Sequence, residues 1–98
     1  NTLKKIIAED AFIGRYGGEE FVLIFSNIDK ITVINKLNVL RKKVASLPFT
    51  FKNNRVNITL SIGVTMIESD DNVHSAFERA DIALYQAKKD GKNRVIYG

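Results

Sequence analysis

Leu3, Ile6 and Ile7 recur at helical spacing, predicting a short helix over residues 2–9. Residues 12–16 then read as a strand, Gly17-Gly18 as a tight turn and 21–25 as a second strand. Val22, Leu23, Ile24 and Phe25 are apolar without alternation, which predicts a strand covered on both faces. Asp29 can cap a helix over residues 30–47, with Ile31, Ile34, Leu37, Leu40, Val44 and Leu47 inward and Pro48 as its stop. Arg41, Lys42 and Lys43 mostly lie off that stripe and read as a solvated basic face.

Residues 49–52, an Asn53-Asn54 turn and a long strand over 56–67 predict a second hairpin. In the long strand Val56, Ile58, Leu60, Ile62, Val64 and Met66 alternate with Asn57, Thr59, Ser61, Gly63 and Thr65. One face should be buried and the other polar or closely approached. Residues 70–72 offer caps for a last helix to about Lys89, with Val73, Phe77, Ala80, Leu84 and Ala87 inward. Gly91 ends it and residues 94–97 form the final strand. The order helix, hairpin, helix, hairpin, helix, strand predicts an α+β sandwich of the ferredoxin-like kind lacking its first strand.

Composition narrows the chemistry. The 98 residues hold no cysteine and one histidine, His74, so disulfides, thiolate metal sites and multi-histidine cages are excluded. His74 reads as a surface residue near a helix start. No apolar run reaches the length of a membrane span and no signal-peptide pattern opens the chain, in keeping with a cytoplasmic protein. The net charge of +4 favours anionic partners. The chain starts at Asn1 already in a helical pattern, as in a piece of something longer.

The sharpest feature is Arg15-Tyr16-Gly17-Gly18-Glu19-Glu20-Phe21 at the first hairpin's tip. Adjacent carboxylates repel, and a cation between them relieves that. Magnesium prefers oxygen ligands and bridges phosphates, so a metal–phosphate site stands beside the plainer reading of a solvated turn. Lys88, Lys89, Lys92 and Arg94 surround the end of the last helix. Cations there are favoured by the helix dipole at ~0.3–1 kcal/mol each, and the same cluster suits a phosphate clamp facing the carboxylates.

Together these residues resemble the GGDEF family of diguanylate cyclases in its common GGEEF form. Thr59-Leu60-Ser61-Ile62-Gly63-Val64 resembles the family's strand motif. The run Ala80-Asp81-Ile82-Ala83-Leu84-Tyr85-Gln86-Ala87-Lys88, followed by Gly91-Lys92-Asn93, resembles its last-helix motif. The resemblance covers nearly the whole chain, making residues 1–98 the C-terminal portion of one such domain. It implies the palm-like fold of nucleotide cyclases, an antiparallel-rich sheet packed with helices. It also implies condensation of two GTP into cyclic di-GMP and pyrophosphate on a homodimer, with magnesium (or manganese) as cofactor.

By the same resemblance Glu19 and Glu20 are metal ligands and catalytic groups, with Glu19 helping to deprotonate the attacking hydroxyl. Gly17 and Gly18 make room for the nucleotide, and Lys88 and Lys92 contact its phosphates. Lys92 stands where the family often has arginine, keeping the charge and losing the bidentate fork. Leu60, Ile62 and Val64 read as core, and Asp81 as structural. Ala8 and Ala11 stand where many members carry the Arg and Asp of an inhibitory product site, so no product inhibition is expected there.

The family's upstream strand, with a further metal-binding aspartate, and the helices that recognise guanine precede the positions matched here. The chain alone is therefore expected to be inactive and its parent active, with mid-sheet backbone edges left open. A sensor or receiver domain is expected in the parent, and no contact with a nucleic-acid polymer or, directly, with a membrane. A degenerate domain serving as GTP sensor or dimerisation module is the main rival. An RNA-binding ferredoxin-like domain is disfavoured, because Glu19 and Glu20 would repel phosphates where RNA should lie.

Overall fold

The computed structural model describes the backbone of residues 11–15 and the whole of residues 19–26 and 28–98. In chain order the elements are β1 (Ala11–Arg15), β2 (Glu20–Phe25), α1 (Lys30–Ser46), β3 (Phe49–Phe51), β4 (Asn54–Val56), β5 (Ser61–Met66), α2 (Val73–Lys89) and β6 (Arg94–Tyr97). The first predicted helix and the Gly17-Gly18 turn lie outside the described residues.

Both helices end where side chains make them end. Asp29 caps α1, its carboxylate accepting from the Thr32 amide and the Thr32 hydroxyl, each at 3.0 Å. These bonds hold the Asp29 carboxyl below its usual range, the amide bond contributing most. Leu47 is extended at the other end, just before Pro48. Asn72 and Ser75 form a reciprocal capping box on α2. At its C-terminus the Lys92 amide reaches back 2.9 Å to the Ala87 carbonyl while Gly91 sits at φ 121°.

The main sheet has the order β1-β2-β5-β6. Only β1–β2 is antiparallel in it; β2–β5 and β5–β6 are parallel. The expected antiparallel-rich sheet is thus corrected to a mixed one, joined by helical crossovers. The expected open edge in mid-sheet is also absent among the described residues, because β2 pairs with β5 along its whole length, Glu20–Phe25.

Helices cover both faces. Leu23 and Phe25 pack with Ile62 and Val64 against Val33 and Leu37 of α1. Val22 and Ile24, the alternate positions of β2, pack against Ala76, Ala80 and Leu84 of α2. The unalternating β2 is therefore buried on both faces, as its sequence predicts.

Three predicted patterns need correction. The long strand over 56–67 breaks: Val56 ends the separate β3–β4 hairpin, exposed, and only Ser61–Met66 joins the main sheet. In β5 both alternating sets are buried, because α2 closes over the small side chains of Ser61, Gly63 and Thr65. In α1, Ile31 and Leu47 turn outward while Val33 joins the core. Val73 likewise stands exposed at the first turn of α2.

Among the described residues no helix is long and apolar enough to cross a membrane.

Candidate functional site

Parallel pairing brings the starts of β2, β5 and β6 to one end of the sheet, where Glu20 is level with Ser61 and Ser61 with Arg94. The Ser61 amide donates to the Glu19 carbonyl at 2.9 Å, fixing the acidic pair against β5. Helix α2 runs back toward the same end and stops there, so its terminal lysines arrive beside the acids. Glu19, Glu20, Ser61 and Lys92 line one open cavity of about 270 Å³. Lys88 Nζ lies 3.3 Å from Glu20 Oε1.

The Gly91–Asn93 loop carries Lys92 into this cavity by an unusual backbone path. Lys92 and Asn93 adopt φ of 61° and 48°, in the left-handed region where side chains other than Asn and Gly are uncommon. Two groups hold the loop. The Asn93 amide donates to Ser61 Oγ at 3.3 Å. Arg41 Nη1, from α1, donates to the Asn93 carbonyl at 3.2 Å and to Asn93 Oδ1 at 3.0 Å.

Of the residues expected in a site, the structure gathers Glu19, Glu20, Lys88 and Lys92. Gly17, Gly18 and Ala8 lie outside the described residues, and Ala11 opens β1. Leu60, Ile62 and Val64 are core, as expected. His74 is a surface residue, its side chain 87% exposed and 3.6 Å from Glu78. Sequence reasoning missed Ser61 and Arg41. By spacing, Ser61 is one of the small polar positions of a strand, and Arg41 falls with Lys42 and Lys43. The outward set of the strand pattern was the signal for Ser61; a contact spanning 52 residues of sequence left none for Arg41.

Two carboxylates fit magnesium better than a metal that needs an all-protein cage. Magnesium keeps several waters and is commonly held by one or two carboxylates together with substrate phosphates. Among the described residues no group of three or more His, Cys, Asp and Glu side chains could hold a metal; two acids beside lysines are a donor set that a metal–polyphosphate ligand can use.

The class is an α+β domain whose sheet is covered by helices on both faces, with acids and lysines meeting across one strand end. The chain belongs to the family described as "Diguanylate cyclase, GGDEF domain", which it matches over residues 1–94. It is 40% identical over 93 residues to diguanylate cyclase DgcP of Pseudomonas aeruginosa, covering 95% of this chain and 14% of that protein. The GGDEF domain of DgcB from Caulobacter crescentus, solved in complex with c-di-GMP, superposes with a TM-score of 0.76 at 33% identity, over 95% of this chain and 56% of that one. Diguanylate cyclase SiaD of P. aeruginosa, solved with its activator SiaC, gives a TM-score of 0.75 at 27% identity, over 96% of this chain and 36% of that one. The chain thus spans about a seventh of the length of DgcP and about half of the DgcB domain structure.

Proposed function

We propose that the chain is the C-terminal portion of a diguanylate cyclase domain, acting in the cytoplasm on two GTP molecules held by two facing copies. The observation that carries this reading is the shared cavity of Glu19, Glu20, Ser61 and Lys92, with Lys88 at 3.3 Å from Glu20. Family membership and relatives named as diguanylate cyclases support it, and do not favour a purely sensory domain.

Glu19 and Glu20 would hold a magnesium or manganese ion, which supplies charge neutralisation for the triphosphate. Lys92 and Lys88 take phosphate oxygens on the opposite side. Ser61 Oγ already accepts from the Asn93 amide, so its own proton is available to donate to a phosphate oxygen. Gly17 and Gly18 admit the nucleotide beside the backbone. The 3′-hydroxyl of one GTP attacks the α-phosphorus of the other. A P–O bond forms to that oxygen, the bond to the β-phosphate breaks and pyrophosphate leaves. Glu19 accepts the hydroxyl proton. Repetition with the roles exchanged closes the ring. Positioning and charge neutralisation supply most of the acceleration in such a reaction.

Upstream residues of the domain would complete the metal set and select guanine, and a sensor or receiver domain would regulate the parent. With alanines at positions 8 and 11, product exerts no brake through that place.

The test is chromatography of nucleotides after the full-length protein is incubated with GTP and magnesium. Cyclic di-GMP should form with the wild type and vanish with Glu20→Gln. A folded, dimeric protein that binds GTP without making product would overturn the reading in favour of a sensor.

A further inference from the structure

Charge is strongly segregated along the chain. From Lys30 to Ile67 it holds seven of the fifteen Lys and Arg and none of the eleven Asp and Glu. Helix α1 and the β3–β4 hairpin both lie in this stretch. The large apolar side chains exposed among the described residues concentrate here as well: Ile31, Val39, Leu47, Phe51 and Val56. Val39 is 67% exposed and Phe51 65%.

These groups lie on the solvent-facing sides of both elements. At about 100° per residue, Ile31, Lys36, Val39, Lys42 and Lys43 fall on one outward arc of α1, and all are exposed. On the hairpin Phe51, Lys52, Arg55 and Val56 are all exposed, with Phe51 and Val56 on one face and Arg55 on the other. Lys52 Nζ lies 5.4 Å from the Phe51 ring centroid. The sequence gives no reason to expect a membrane contact, because its spacing turns Ile31 and Leu47 inward. Their outward position supplies one.

We propose that the outer face of α1 and the β3–β4 hairpin dock on an anionic lipid surface. Cations interleaved with aliphatic and aromatic side chains, with no acid among them, match what such an interface rewards: apolar burial at the headgroup level plus attraction to lipid phosphates. Nucleic acid fits less well. The exposed apolar set is mostly aliphatic, with Phe51 its one aromatic, and aliphatic side chains give bases no ring to stack on. A two-fold contact of this lobe with itself would set like charges against each other. Helix α2 also exposes Ile82 and Tyr85, but Glu78 and Asp81 stand among them, so that face lacks the acid-free character of α1 and the hairpin.

The test is sedimentation of the full-length protein with phosphatidylcholine vesicles, with and without phosphatidylglycerol, at low and high salt. Binding should require the anionic lipid and weaken with salt. Replacing Lys52 and Arg55 with Gln should lower the affinity about 10- to 30-fold, the effect of two juxtamembrane cations. Lys42→Gln with Lys43→Gln should act similarly, and these exposed helix positions keep the test valid if the hairpin variant misfolds. Phe51→Ser should weaken binding without changing its salt dependence. Absence of binding at low salt, equal binding to both vesicles, or no effect of folded variants would overturn the proposal. So would displacement of the protein by RNA, or self-association lost in the same variants, either of which would name a different occupant.

Discussion

Lys88 Nζ and Glu20 Oε1 stand 3.3 Å apart, so the cation assigned to phosphate and the carboxylate assigned to metal are direct partners. Their side chains are 40% and 29% exposed, and ion pairs that wet contribute ~0–1 kcal/mol. A triphosphate can therefore separate them at little cost. Lys88→Ala should lower stability by less than about 1 kcal/mol and weaken magnesium-dependent GTP binding about tenfold. Urea unfolding and titration calorimetry on one preparation would separate the two effects. A clear loss of stability with unchanged GTP affinity would reduce Lys88 to a support for Glu20.

Lys92 occupies backbone that its side chain disfavours. A left-handed φ of 61° costs about 1–2 kcal/mol in a residue that bears a Cβ and lacks asparagine's local hydrogen bonding. Arg41 helps to hold the strained turn through its bonds to Asn93. Lys92→Asn should leave stability unchanged or raise it by up to about 1 kcal/mol, while GTP binding falls. Such opposed effects mark a position kept for function. Arg41→Lys keeps the charge but loses the planar fork, and should raise KM for GTP more than it lowers kcat.

Gly63 explains why α2 can lie so close to the sheet. A Cβ there would overlap the Ala80 carbonyl oxygen and the Leu84 amide nitrogen, neither of which can move without the helix. The helix matches this with small residues, burying Ala76, Ala80, Ala83 and Ala87. Gly63→Ala should cost about 1–3 kcal/mol or more, and should also lower GTP binding, because Lys88 rides on the displaced helix. A variant as stable as wild type in denaturant would show that α2 has slack against β5.

The helix caps and the doubly buried β2 were legible because each is written in short spacings: Asp29 before Thr32, Asn72 before Ser75, Val22 to Phe25 without a break. The pairing partner of β2 was not. Parallel pairing of β2 with β5 joins residues about forty positions apart, and nothing local to either strand declares it. The outward turn of Ile31 and Leu47 was hidden for a related reason. Helical spacing fits stripes that differ by one position, and the sheet's geometry decides which is buried, here admitting Val33 and Leu37. Of the alternation over residues 56–66, only the part from Ser61 to Met66 lies in one strand. There Ser61, Gly63 and Thr65 are small because a helix, not water, covers that face.

Acid should loosen the far end of α2 before it affects the core. Arg79 donates to both carboxylate oxygens of Asp71, at 2.7 and 2.9 Å, and reaches the Met66 carbonyl and Thr65 Oγ1 as well. Asp71 also accepts from the Glu68 amide and the Ser75 hydroxyl. The guanidinium first, then these donors, hold the Asp71 carboxyl well below the usual carboxylate range. A carboxyl whose pKa is lower folded than unfolded stabilises the fold fully above the unfolded value, about 3.9, and loses that contribution as pH falls from there toward the folded value. Asp71→Asn should therefore be less stable than wild type at neutral pH, with the difference shrinking once pH drops below about 4. Urea midpoints of both proteins across that range would show it. Parallel curves, with a constant gap down to the lowest pH, would mean that the bonds of Asp71 matter through shape and not through charge.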